Sequence, residues 1–174
     1  MQDSRVDPSA QNNNPIKWAS RNGHRDVAEI LLGDPRVDPS TQDNWSIRWA
    51  VLNGHRDVVE LLLQDSRVDP SVFNNNAIRD AAYNGHKDIV QMLLGDPRVN
   101  PSDEDNWAIR LSAYYGHKDV IELLLQDSRV DQSARNNQAI TFAVENDHKD
   151  IVELLEEHEY KIDNIHYNKM AKLK

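Results

Sequence analysis

Apolar positions fall in two short bursts that recur along the chain. In one stretch Ile47, Ala50 and Val51 sit at i, i+3 and i+4, and Val58, Val59, Leu61, Leu62 and Leu63 follow after Gly54. This spacing predicts a first helix, A, over about 46–53 and a second, B, over about 56–63, with Gly54 breaking them. Helices of about eight residues are unstable alone in water. Each pair must therefore lean on its neighbours.

The bursts repeat at a fixed interval. Asp3, Asp34, Asp65, Asp96 and Asp127 step by 31 residues, as do Ile16, Ile47, Ile78, Ile109 and Ile140. His24, His55, His86, His117 and His148 keep the same register, and so do Arg5, Arg36, Arg67, Arg98 and Arg129. A fixed period in the range of roughly 20–50 residues means a stacked array. A longer alternation, D-S-R-V with D-P-R-V, suggests that a two-repeat block was duplicated. Asn14 followed by Pro15 reads as an N-cap and first helical position. Pro39, Pro70 and Pro101 fix the returning loop. Asn12, Asp43, Asn74, Asp105 and Asn136 suit a left-handed turn position.

The segment A-x-x-N-G-H-x-D-V-V-E-L-L-L, from Ala50 to Leu63, resembles the ankyrin repeat family. The family's T-P-L-H element survives only in degraded form, as in Asn14-Pro15-Ile16-Lys17 and Trp45-Ser46-Ile47-Arg48. The resemblance covers residues 3–157 and implies an all-α solenoid of five stacked helix-turn-helix repeats: 3–33, 34–64, 65–95, 96–126 and 127–157. The short unit predicts stunted or absent finger loops. The repeat domain is expected over 1–157 and a capping tail over 158–174. Repeat five ends in Leu154-Leu155-Glu156 and carries Asp147 in place of glycine, which suits a polar terminal cap. The tail keeps Tyr160, Ile162, Ile165, Met170 and Leu173 and is expected to fold partly against that cap. Repeat one keeps Ile16, Ile30 and Leu31, which suits either a weak cap or a unit of a longer array.

Composition supports a thin fold. The hydrophobic fraction is 39%, below the ~45–50% usual for globular domains, and mean hydropathy is -0.75. A net charge of -9 disfavours nucleic acid and anionic membranes as partners. The absence of cysteine excludes disulfides, a thiol nucleophile and Cys-based zinc sites. The first ten residues lack an apolar core for a signal peptide, and no apolar run is long enough to span a bilayer. A cytoplasmic or nuclear monomer is expected.

The candidate site lies on the helix A face opposite Ile47, Ala50 and Val51, the face that the resemblance places on the concave ligand side. It carries Trp45, Arg48, Trp49 and Leu52 in repeat two, and Trp18 and Arg21 (with Lys17) in repeat one. Repeat three contributes Arg79 and Tyr83, with Asp80, and repeat four contributes Trp107, Arg110, Leu111 and Tyr114. Repeat five contributes Thr141, Phe142 and Glu145. The core face barely changes between repeats, whereas this one changes at nearly every position. Trp, Tyr and Arg are the residues enriched at binding hot spots. The expected partner is a protein segment, apolar with acidic residues, bound without catalysis, cofactor or metal. The alternative is that these large side chains cover the stack and the arginines pair with Asp43, Asp80 or Asp105.

The histidine ladder reads as structural, because one ring per repeat gives no close ligand cluster. The loop arginines read as carbonyl partners, and Asp26, Asp57, Asp88, Asp119 and Asp150 as helix-start charges. Two further functional readings stand beside protein binding: a structural or engineered scaffold without its own ligand, and a single-strand nucleic-acid binder using the Arg and aromatic stripe.

Overall fold

A computed structural model describes the backbone over residues 7–171 and the side chains over 7–162. Asp3, Arg5 and Leu173 lie outside it, as do the side chains of Ile165 and Met170. Among the described residues there are ten helices and no strand, so the loops carry no hairpin fingers. They are α1 (Ala10–Arg21), α2 (Arg25–Leu32), α3 (Thr41–Leu52), α4 (Arg56–Leu63), α5 (Val72–Tyr83), α6 (Lys87–Leu94), α7 (Asp103–Tyr115), α8 (Lys118–Leu124), α9 (Ala134–Glu145) and α10 (Lys149–Ala171). Odd helices pack on odd and even on even, so the chain is a two-layered, all-α solenoid.

The core repeats with the sequence. Ile16, Ile47, Ile78 and Ile109 are fully buried from the A layer, and Leu62, Leu93, Leu124 and Leu155 from the B layer. Val37, Val68 and Val99 plug it from the loops. At the two ends apolar side chains stay exposed, Ile30 in α2 and Val144 in α9. The expected boundary after residue 157 falls inside α10, which runs unbroken to Ala171. Tyr160 and Ile162 are exposed, whereas His158 and Glu159 are half-buried.

Helix A begins differently from the expected single left-handed residue. Each odd helix opens with three successive residues at positive φ: Gln11–Asn13, Gln42–Asn44, Phe73–Asn75, Glu104–Asn106 and Arg135–Asn137. In each, the third residue's N–H donates to a serine carbonyl four residues back, as Asn44 does to Ser40 at 2.9 Å. This is one full left-handed helical turn. Asn14 accordingly does not cap the helix, and its side-chain amide donates to Gln11 instead. Non-glycine residues in this conformation cost roughly 1–2 kcal/mol each, so the turn needs outside support.

The support comes from the next repeat. Asn13, Asn44, Asn75 and Asn106 are buried. Their Oδ1 atoms accept the backbone N–H of Asp38, Asp69, Asn100 and Asp131 at 2.7 to 2.8 Å. Within each loop a serine caps the preceding Asx residue, as Ser40 donates from N and Oγ to Asp38. Asn137 occupies the same position in the fifth unit, and its Oδ1 is buried without a partner.

Two more ladders cross between repeats. Arg67 holds Asp65 through Nε and Nη2, while its Nη1 donates to the Val37 carbonyl of the preceding unit at 2.7 Å. Arg98 and Arg129 repeat this onto Val68 and Val99. The loop arginines therefore serve carbonyls, as expected. Their hydrogen bonds hold Asp65, Asp96 and Asp127 below the usual carboxylate value, and that from Arg36 lowers Asp34 to about 2.

The histidines bridge as well. His55 Nε2 reaches the Arg21 carbonyl at 2.9 Å, and His117 reaches that of Tyr83 at 2.9 Å. A carbonyl can only accept, so Nε2 carries the proton. Each ring lies over the previous repeat's glycine: a Cβ on Gly54, at φ +73°, would sit 2.7 Å from His86 Cε1. Asp147 adopts the same left-handed conformation, at φ 59°.

Two stability measurements by urea unfolding follow. Asn75→Ala strands the half-buried Asn100 N–H, whereas Asn137→Ala breaks no bond of its side-chain oxygen. The first should destabilise more than the second by about 1–3 kcal/mol, and equal losses would refute the inter-repeat clamp. Gly54→Ala meets both a strained φ and the His86 ring, so it should cost at least about 1–2 kcal/mol.

Candidate functional site

The right-handed part of helix A places its variable residues on the side away from the B layer. Ile47, Ala50 and Val51 are buried, while Trp45, Arg48 and Trp49 are half-buried and Leu52 is exposed. Across the repeats the face divides into three regions.

Repeats one and two form a cation–π stack. Arg21 lies between two indoles, 5.2 Å from the Trp18 ring and 4.6 Å from that of Trp49. Trp49 in turn rests on Trp45, with ring centroids 5.1 Å apart. Trp18 closes the open end and is 48% exposed. Lys17 is buried and donates to Gln42 at 2.7 Å, so it belongs to the packing between repeats rather than to the surface.

The centre is built from arginines. Arg48 stacks on Phe73 at 4.5 Å. Arg79 donates to the Phe73 carbonyl and to Asn76 Oδ1. Arg110 lies 4.3 Å over Trp107 and donates to the carbonyls of Glu104 and Asp105. Arg79 and Arg110 thus cap the left-handed turns of their own repeats. Arg110, one of the expected contact residues, is only 6% exposed. It is drawn inward because its turn leaves carbonyls that the right-handed helix cannot satisfy. Asp80, half-buried beside Asn76, has its carboxyl pushed up by burial, against the hydrogen bond from Asn76 and the charges of Arg79 and Arg48.

Repeats three to five form an aromatic cluster. Tyr83 meets Tyr115 edge-on at 4.4 Å, Tyr115 meets Tyr114 at 4.8 Å, and Tyr114 meets Phe142 at 5.4 Å. Tyr83, Tyr114 and Tyr115 are exposed, and Leu111 is half-buried beside them in sequence.

Three residues of this face were not among the expected ones. Phe73 is exposed and belongs to a left-handed turn. Arg135 holds the equivalent place in repeat five and pairs with Asp105 at 2.7 Å. For Phe73 and Arg135 a signal was available: their position varies between units as much as the expected contact positions do, reading Gln11, Gln42, Phe73, Glu104 and Arg135. Tyr115 stands where the other repeats have asparagine before the helix-ending residue.

Outside this face, an open cavity of about 820 Å³ lies between α4 and α6, lined by Arg56, Glu60, Leu63 and Asp88 among others. Its charges answer one another, Arg56 lying 3.6 Å from Glu60 and 3.9 Å from Asp88. His55, His86, His117 and His148 point to backbone carbonyls. Among the described residues no three His, Asp or Glu side chains gather as metal ligands, and no helix is long and apolar enough to cross a membrane.

A family description, ankyrin repeats (3 copies), matches residues 45–105 and 78–166. The chain belongs to the ankyrin repeat family. Ankyrin repeats generally mediate protein–protein interaction. No match emerges among the curated proteins. In this chain the 31-residue unit opens helix A with a left-handed turn, which Arg79 and Arg110 cap in repeats three and four.

The two kinds of arginine should separate on mutation. Arg110→Ala removes two carbonyl partners from a buried site and should cost about 1–3 kcal/mol. Arg21→Ala loses only a cation–π sandwich at a half-buried site and leaves no carbonyl unpaired, about 0.5–1 kcal/mol. Urea unfolding of the two variants checks the order, and a larger loss for Arg21→Ala would contradict it.

Proposed function

We propose that this ankyrin array binds a protein segment across the outer face of α1, α3, α5, α7 and α9, and that it acts by binding rather than by catalysis. The observation that carries the reading is the exposed aromatic surface: Trp18, Phe73, Tyr83, Tyr114 and Tyr115 all lie exposed on one side of the A layer. Exposed aromatic clusters of this kind mark contact sites. The arginines between these rings favour acidic residues in the segment, and the net charge of -9 on the whole chain turns anionic polymers away. Trp45, Trp49 and Trp107 support the face from a half-buried position, while Trp18, Tyr83 and Tyr114 are the contact residues proper.

A peptide-display selection on the whole chain tests this. Enriched sequences should combine aromatic or aliphatic residues with Asp or Glu. Truncating all three exposed rings (Trp18→Ala, Tyr83→Ala, Tyr114→Ala) should weaken the selected peptides by about 30-fold or more, since one hot-spot truncation costs about 2 kcal/mol. Circular dichroism should still show a folded array. Peptides indifferent to the triple variant, or a single-stranded oligonucleotide bound with steep salt dependence, would overturn the reading.

A further inference from the structure

Between repeats three, four and five lies a cavity of about 210 Å³ lined by Arg79, Glu104, Trp107, Arg110 and Arg135. Three adjacent repeats converge on it. Arg79 comes from α5, Trp107 and Arg110 from α7, and Arg135 from the left-handed turn of α9.

The guanidinium groups there are only partly engaged. Arg79 donates through Nη2, Arg110 through Nη1, and Arg135 through Nε and Nη2. One Nη group of each is left uncommitted. The local acids already have partners. Asp105 takes Arg135, and Glu104 accepts from Asn74 Nδ2 at 2.6 Å. Among the lining side chains three arginines face the one carboxylate of Glu104, with Asp105 paired to Arg135 and Asp80 half-buried in the field of Arg79. Arg110 is buried with only neutral carbonyls as hydrogen-bond partners. Its own burial, and then the charge of Arg135, hold it below the usual arginine value, with Asp105 opposing. A buried cation without a carboxylate partner is incompletely compensated. The Trp107 indole beneath Arg110 adds a flat apolar wall that suits methylene groups.

We propose that this cavity seats one acidic side chain, Asp or Glu, of the bound protein segment; the assignment rests on the helix A face being the binding face. A carboxylate fits better than a phosphoryl group. Its two oxygens match the planar donors of arginine. Glu104 on the cavity wall repels a dianion more strongly than a monoanion.

The test is a titration of the ¹⁵N-labelled whole chain, read at the Trp107 indole N–H and the arginine Nε–H signals. N-acetylglutamate N-methylamide should shift these signals saturably. The glutamine analogue should bind at least tenfold more weakly, and inorganic phosphate more weakly than the carboxylate. Arg79→Gln with Arg135→Gln should weaken the carboxylate at least tenfold. Arg79→Gln alone, which leaves the Asp105 pair intact, should weaken it at least threefold in a chain that remains folded. Equal binding of the glutamine analogue, tighter binding of phosphate, or signals unmoved by either variant would overturn the proposal. If carboxylate binding fails while the triple aromatic variant still loses selected peptides, the pocket falls and the binding face stands. If the carboxylate binds but selected peptides ignore the aromatic variant, the face falls, and with it the assignment of this carboxylate to a protein partner.

Discussion

The left-handed turn at the head of each helix A is the constraint that shapes the rest. Three consecutive non-glycine residues at positive φ are locally unfavourable. The turn persists because its last asparagine reaches across to a backbone N–H in the following loop. Local conformation in one unit is thereby completed by the next. Histidine and arginine ladders tie the units in the reverse sense, each joining a side chain of one repeat to a carbonyl of the one before. Stability in such an array resides largely between neighbours. The unpartnered Oδ1 of Asn137 marks where this chain of completion stops.

The same turn shapes the variable face. It brings its first residue up beside the helix A arginine, so the turn and the helix contribute jointly to one surface. In repeat three that residue is Phe73, which stacks on Arg48 of the preceding unit. In repeat five it is Arg135, which pairs with Asp105 of the preceding unit. Variation at one loop position therefore alters the chemistry of the adjacent repeat's surface without touching the isoleucine and alanine core.

The aromatic and arginine stripe is layered by depth. Lys17 and Arg110 are packed into the structure. Arg21, Arg48 and the half-buried tryptophans form a stacked layer beneath. Trp18 and the tyrosines remain outermost. Position along the array decides part of this. Trp18 has no earlier repeat among the described residues to cover it, whereas Trp49 is covered by Arg21.

The sequence by itself determined the period, the helix pairs, the buried apolar faces and the carbonyl-binding role of the loop arginines. All of these follow from local spacing and from the chemistry of single residue types, repeated five times. It also marked the variable face, because positions free of packing are free to differ. Only the tertiary structure decided that three residues, not one, turn left-handed, since their support is a hydrogen bond 25 positions away in sequence. Only it decided that Arg110 is buried and that Arg79, Arg110 and Arg135 share one cavity. Which cation stays in water depends on carbonyls and rings supplied by neighbouring repeats, and no helical wheel of a single repeat contains them.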